Sequence, residues 1–147
     1  MKKLLFIAMF GLSLSSFGQG NSLALSLSPV DMGIGMRYDR YFGDVGAYLA
    51  GSYGNYSFWG GHIRDHWKAS SGVTLKVTNQ TYESYFSIGL CLHKYGEAVM
   101  REEYDTKRVL SPLSYEIGAG ACLGRFFAGV RIDLYKWDSA IDIGFKF

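Results

Sequence analysis

Charged side chains recur two residues apart inside stretches that are otherwise apolar or glycine-rich. Arg37 and Asp39 are so spaced, as are Arg131 and Asp133; Asp142 and Lys146 are four apart, and Lys76 and Glu116 occupy comparable positions. Even spacing puts side chains on one face of a β-strand. Groups of both signs on one enclosed face have two uses. They neutralise one another, because a buried charge without a partner is strongly unfavourable, or they line a narrow path for ions.

Other reactive residues carry weaker signals. His62-x3-His66 with Asp65 has metal-ligand spacing only on a helix, and Gly60-Gly61 just before it argues for a loop. No metal site, no cofactor and no catalytic residue is therefore expected. Phe58, Trp59, His62, Arg64, Trp67 and Lys68 mix aromatic and basic groups in a stretch without periodicity. Such a mixture suits a recognition surface, and it equally suits an interfacial aromatic belt.

The elements that must position these residues are strands. Ser22 to Ser28, Met32 to Tyr41, Val45 to Tyr56, Gly72 to Asn79, Tyr82 to Lys94, Leu113 to Leu123, Phe126 to Lys136 and Ala140 to Phe147 all alternate apolar with polar or small residues. Ser57–Ser71 and Tyr95–Pro112 break the alternation and read as long loops. The connections at Phe42–Asp44, Asn79–Thr81 and Gly124–Arg125 are short. The register places Cys91 and Cys122 near opposite ends of neighbouring strands, beyond the roughly 7 Å that a disulfide spans between Cα atoms. Two free, buried thiols are expected.

Composition agrees. The 147 residues are 48% hydrophobic and 19% charged, with 19 Gly, 21 Tyr and Phe together, and only 2 Pro, which fits one β-rich domain. Lys2 and Lys3 precede a short apolar run, Leu4 to Leu14, and Ser16-Phe17-Gly18 supplies small residues at a cleavage point. Residues 1–18 are read as a signal peptide and residues 19–147 as the mature domain. Losing Lys2 and Lys3 takes the formal charge from +2 to zero, so no nucleic acid is expected as partner. No later run approaches the length of a transmembrane helix, so a spanning structure must be a closed barrel.

The last strand, Ala140-Ile141-Asp142-Ile143-Gly144-Phe145-Lys146-Phe147, resembles the closing strand of bacterial outer-membrane β-barrels of the outer-membrane protein A/X-like superfamily. The resemblance implies an all-β, eight-stranded, antiparallel up-and-down transmembrane barrel in the outer membrane of a Gram-negative-type bacterium. It also implies outer-membrane lipid and lipopolysaccharide as surroundings, and barrel-insertion machinery that recognises Phe145 and Phe147. Both long loops fall on one side of such a barrel and the three short turns on the other, the pattern of external loops and periplasmic turns. An eight-stranded barrel is only wide enough for side chains, so Arg37, Asp39, Glu116, Arg131, Asp133, Asp142 and Lys146 are expected to form a salt-bridge network that plugs the lumen. Aromatics from Tyr41 to Phe147 near the turns, and from Tyr53 to Trp137 near the loops, are expected to form two interfacial belts.

Some barrels of this kind modify lipids. The deacylase type carries His-x-Ser on a strand, whereas His62, His66 and His93 precede Arg64, Lys68 and Tyr95 at that spacing. His62 or His66 with Asp65 and Ser70 offers a loose imitation of the palmitoyl-transferase type. The expected function is a non-enzymatic barrel with recognition loops that meet an extracellular ligand; a lipid-modifying enzyme and a narrow pore are the alternatives.

Overall fold

Strands of alternating character have one apolar and one polar face, and a sheet of them must hide one face from its surroundings. Here the sheet closes on itself. In the computed structural model, which describes residues 20–29, 33–54, 66–94, 113–135 and 138–147, eight antiparallel strands form a closed barrel in sequence order. They are β1 (Asn21–Ser28), β2 (Gly33–Phe42), β3 (Val45–Gly54), β4 (His66–Thr78), β5 (Glu83–Lys94), β6 (Leu113–Leu123), β7 (Phe126–Asp133) and β8 (Ser139–Lys146). Closure leaves no unpaired strand edge. At the seam Leu23 faces Phe145 and Leu27 faces Ile141. The Phe147 N–H donates to the Asn21 carbonyl at 2.8 Å, and the Asn21 N–H donates back at 3.1 Å.

The apolar face points outward. Ile34, Leu49, Ile88, Leu123 and Phe145 are each more than 60% exposed, whereas Arg37, Asp39, Glu116, Arg131, Asp133 and Asp142 are buried. That is the reverse of a water-soluble barrel. Turn chemistry fixes the register. Gly43 and Gly124 have φ of 73° and 61°, the left-handed region that tight two-residue hairpins need. Each hairpin closes on a directly paired couple, Phe42 with Val45 and Leu123 with Phe126.

Register also fixes the bore. A path across paired residues runs Asn21, Arg40, Ala47, Val73, Ile88, Ile117, Ile132 and Ser139. Extended past its last pair, Leu27 with Ile141, the β1–β8 register brings Ser139 level with position 29, eight residues beyond the start. Eight strands with a shear of eight tilt by about 36°, the geometry of barrels whose interior is a packed core.

Three sequence expectations need correction. β4 begins at His66, so the loop expected over Ser57–Ser71 ends before it. His66, Lys68 and Ser70 face the lumen, and Trp67, Ala69 and Ser71 face outward. The alternation was present, but small and polar residues on the two faces gave little hydropathy contrast. Tyr41, assigned to the inner-rim belt, points inward and packs against Tyr85 at 5.2 Å between ring centroids. It follows Arg37 and Asp39 at even spacing and so shares their face. β7 ends at Asp133, where the carboxylate accepts the Tyr135 N–H at 2.9 Å and turns the chain. Cys91 and Cys122 are both free and buried.

Candidate functional site

The lumen collects nearly all the polar chemistry of the described residues, and alternation along each strand is what delivers it there. At its centre Asp142 on β8 accepts Arg131 Nε at 2.7 Å, Arg131 Nη2 at 3.0 Å and Arg37 Nη1 at 3.2 Å. Ser26 also donates to it. Arg131 reaches Glu116 at 2.9 Å, Ser70 at 3.0 Å and Ser26 at 2.7 Å. Arg37 holds Asp39 through Nε at 2.9 Å and Nη2 at 2.7 Å, a bidentate pair of the strong kind. Asp39 further accepts Ser22 and Thr74, both at 3.2 Å.

Tyr48 fastens this network to the wall. Its hydroxyl donates to Glu116 at 2.7 Å, and its ring lies 4.6 Å below the Arg37 guanidinium. Gly72 and Gly89, paired across β4 and β5, leave the room it occupies; a Cβ on either would collide with the Tyr48 ring or hydroxyl.

Lys68 extends the network toward the long-connection end. Its ammonium lies 3.2 Å from Asp138 and 3.7 Å from Glu116, and Ser28 donates to Asp138 at 3.0 Å. A cavity between Lys68, Ser70 and Arg131 has a volume of about 10 Å³, room for one water at most. Below the network, Tyr41, Tyr85, Phe127, Ala24 and Cys122 form an apolar layer. Under that layer Lys146 pairs with Glu83, to which Tyr85 also donates.

The expected charge network is therefore divided. Arg37, Asp39, Glu116, Arg131 and Asp142 come together. Lys146 lies beyond the apolar layer, and Asp133 belongs to a separate cluster near the other end. There Asp133 lies 2.8 Å from His93 Nε2, Ser114 Oγ lies 2.9 Å from the same nitrogen, and Ser114 donates to Asp133. His66 Nε2 approaches His93 Nδ1 at 3.0 Å. Hydroxyl and carboxylate share one imidazole nitrogen, so the cluster lacks the relay geometry of acyl-transfer sites, where base and orienting acid use opposite nitrogens.

His66 and Lys68 are lumen residues that the sequence reading assigns to a loop, whereas parity puts Tyr48, His93 and Ser114 on the lumen face without giving them partners. Even spacing of His66, Lys68 and Ser70 was the signal available. Among the residues expected to recognise a ligand, Phe58, Trp59, His62 and Arg64 lie outside the described residues. Trp67 is 58% exposed on the outer wall, its ring 4.9 Å from Tyr53. Lys68, inside the barrel, leaves that group. Phe145 faces outward, edge-on to Phe126 at 6.0 Å, and Phe147 is also exposed.

Strand number, closure and an apolar exterior define this molecule as a small eight-stranded antiparallel barrel of the outer-membrane type. The crystal structure of Neisserial surface protein A (NspA) matches it with a TM-score of 0.50 over 86% of this chain and 91% of that one. Identity is 9%, so the likeness is one of fold. No family model and no curated protein matches the sequence.

Proposed function

We propose that the chain is a non-enzymatic outer-membrane barrel, exported by a cleaved signal peptide, with a lumen plugged by ion pairs and a recognition surface at its long-connection end. The observation that carries this reading is the inverted distribution of residues: large apolar side chains outside, arginines and carboxylates inside. Only an apolar solvent makes that arrangement favourable, since tens of exposed aliphatic and aromatic groups in water would drive aggregation. The outward charged residues Arg40 and Lys94 sit near the ends of their strands and toward opposite ends of the barrel, where headgroups would receive them. The similar neisserial barrel is, by its name, a surface protein, in keeping with a surface location here.

Gel mobility of the outer-membrane fraction, with and without boiling, tests this. A closed barrel resists detergent until heated, so a membrane-associated band that shifts on boiling is expected. A periplasmic protein without a shift would remove the reading.

The recognition surface is assigned to Phe58, Trp59, His62 and Arg64, which precede the exposed Trp67 in sequence, with a glycan or lipid headgroup as the extracellular ligand. Replacing residues 58–64 by a short Gly-Ser turn leaves β3 and β4 whole. The shortened chain should keep its heat shift and lose binding on a glycan and lipopolysaccharide array. Unchanged binding, or none by the intact chain, would refute this assignment.

A further inference from the structure

At the long-connection end of the lumen, two strands bring soft and borderline metal ligands to one point. Cys91 and His93 stand two apart on β5, and Asp133 comes from β7, with β6 between them. One ligand atom from each lies within 4.8 Å of the others. Cys91 and the His93 and Asp133 side chains are fully buried. We propose that Cys91, His93 and Asp133 bind a divalent transition-metal ion of the zinc class, with His66 as the positioning residue behind His93.

The ligand set selects the ion. A thiolate disfavours the hard cations calcium and magnesium, and a carboxylate disfavours copper(I). Thiolate, imidazole and carboxylate together suit zinc or cobalt, with bonds of about 2.0–2.3 Å in a tetrahedral arrangement. That geometry separates ligand atoms by roughly 3.3–3.8 Å. The 2.8 Å contact between His93 and Asp133 therefore opens by less than about an ångström as the ion enters between them. The fourth position falls to water or to the Ser114 hydroxyl.

The surroundings are those a ligating histidine needs. An ion on Nε2 leaves Nδ1–H to donate to His66 Nε2, already 3.0 Å away, and the two rings stack within 8° of parallel. Such an outer partner fixes tautomer and ring orientation. Ser114 holds the Asp133 carboxylate in the same way. Charge points in the same direction. Among the described residues the lumen buries five carboxylates, Asp39, Glu116, Asp133, Asp138 and Asp142, against the three cations Arg37, Lys68 and Arg131. Binding releases one proton, from the Cys91 thiol, as the metal–sulfur bond forms; nothing is oxidised or reduced.

The site was hidden from sequence because its ligands come from two strands and its positioning residue from a third. Its test is cobalt titration of the full chain folded in detergent, with the heat shift confirming the fold of each preparation. One cobalt per barrel is expected, with a thiolate-to-cobalt charge-transfer band in the near ultraviolet, tetrahedral visible absorption, and displacement by zinc. Cys122→Ser should keep the band, since that thiol lies at the opposite end of the barrel, and Cys91→Ser should abolish it. His66→Phe should weaken cobalt binding by about 10- to 100-fold while the band persists at saturation. If Cys91→Ser does not fold, Asp133→Asn supplies the second variant, with at least a tenfold loss of affinity expected. A heat-shifting protein with no charge-transfer band overturns the proposal and leaves the barrel reading intact. So does a band that follows Cys122, or an affinity that Asp133→Asn leaves unchanged.

Discussion

Arg131 ties its own strand to four others, because it serves two carboxylates and two hydroxyls on them. It touches Asp142, Glu116, Ser26 and Ser70. Replacing it by methionine keeps much of the volume and removes every donor. Asp142 would keep the 3.2 Å contact with Arg37, and Glu116 the 3.7 Å contact with Lys68. Removing one partner of a buried ion pair costs about 3–5 kcal/mol, since the remaining charge stays desolvated. Arg131→Met should lower unfolding stability by that order in urea titrations of the lipid-folded barrel. The triple variant Arg131→Met, Asp142→Asn, Glu116→Gln should recover part of the loss, because the stranded charges go with the cation. A loss confined to a few tenths of a kcal/mol in Arg131→Met would mean that water reaches these groups. The pairing of Arg37 with Asp39 was legible from even spacing alone. The pairing of Arg131 with Asp142 was legible only as adjacency of strands. The Tyr48–Glu116 contact was not legible, since it crosses the lumen between β3 and β6 and no local pattern reports a cross-barrel distance.

At the scale of elements, β4 is where periodicity and hydropathy disagree. Strong strands such as β5 announce themselves through Phe86, Ile88, Leu90 and Leu92 on one face. In the first half of β4 the outward residues are Trp67, Ala69 and Ser71, and the inward ones His66, Lys68 and Ser70. Neither set is distinctive, yet Ala69 pairs with Gly51 on one side and Leu92 on the other, in unbroken register. Pairing with neighbours on both sides, rather than intrinsic preference, makes this segment a strand. Spin labels placed on single cysteines from 66 to 71, in a Cys91→Ser, Cys122→Ser background reconstituted in lipid, should report that geometry. Labels at 67, 69 and 71 should be relaxed by dissolved oxygen, which concentrates in the bilayer. Labels at 66, 68 and 70 should be protected. Uniform exposure across the six positions would restore the loop expected from composition. The same contrast explains which boundaries were legible. The two-residue turns at Gly43-Asp44 and Gly124-Arg125 were visible because glycine adopts positive φ there. The end of β7 was missed because Leu134 continues the apolar parity; the Asp133 side chain stops the strand by capturing the Tyr135 N–H.

For the whole molecule, bore and lining decide whether the barrel conducts. Alternation and eight strands made the closed fold legible in the sequence, but the shear was not, since register depends on which turns are tight and how strands slide. With a shear of eight the interior has room for side chains and little else. Those side chains are large: Arg37, Arg131, Tyr48, Glu116 and Lys68 meet across the axis, and Tyr41, Tyr85 and Phe127 close the bore beneath them. An ion crossing this lumen would have to shed its water and part the Arg131–Asp142 and Arg37–Asp39 pairs in turn. It would then have to pass an aromatic layer that offers no compensating charge. Each step opposes conduction more strongly than the lumen's excess of carboxylates favours cation entry. The barrel reconstituted in planar bilayers should therefore show no steady single-channel current at any salt concentration. Truncating the layer as well as the network, with Tyr41→Ala, Tyr85→Ala and Phe127→Ala added to Arg131→Ala, should open a path if the variant folds, as a heat shift would report. A salt-dependent current through the unmodified protein would show that the ion pairs form a conducting lining instead of a plug. Current in neither protein would place the obstruction outside the network and the aromatic layer, at the ends of the barrel.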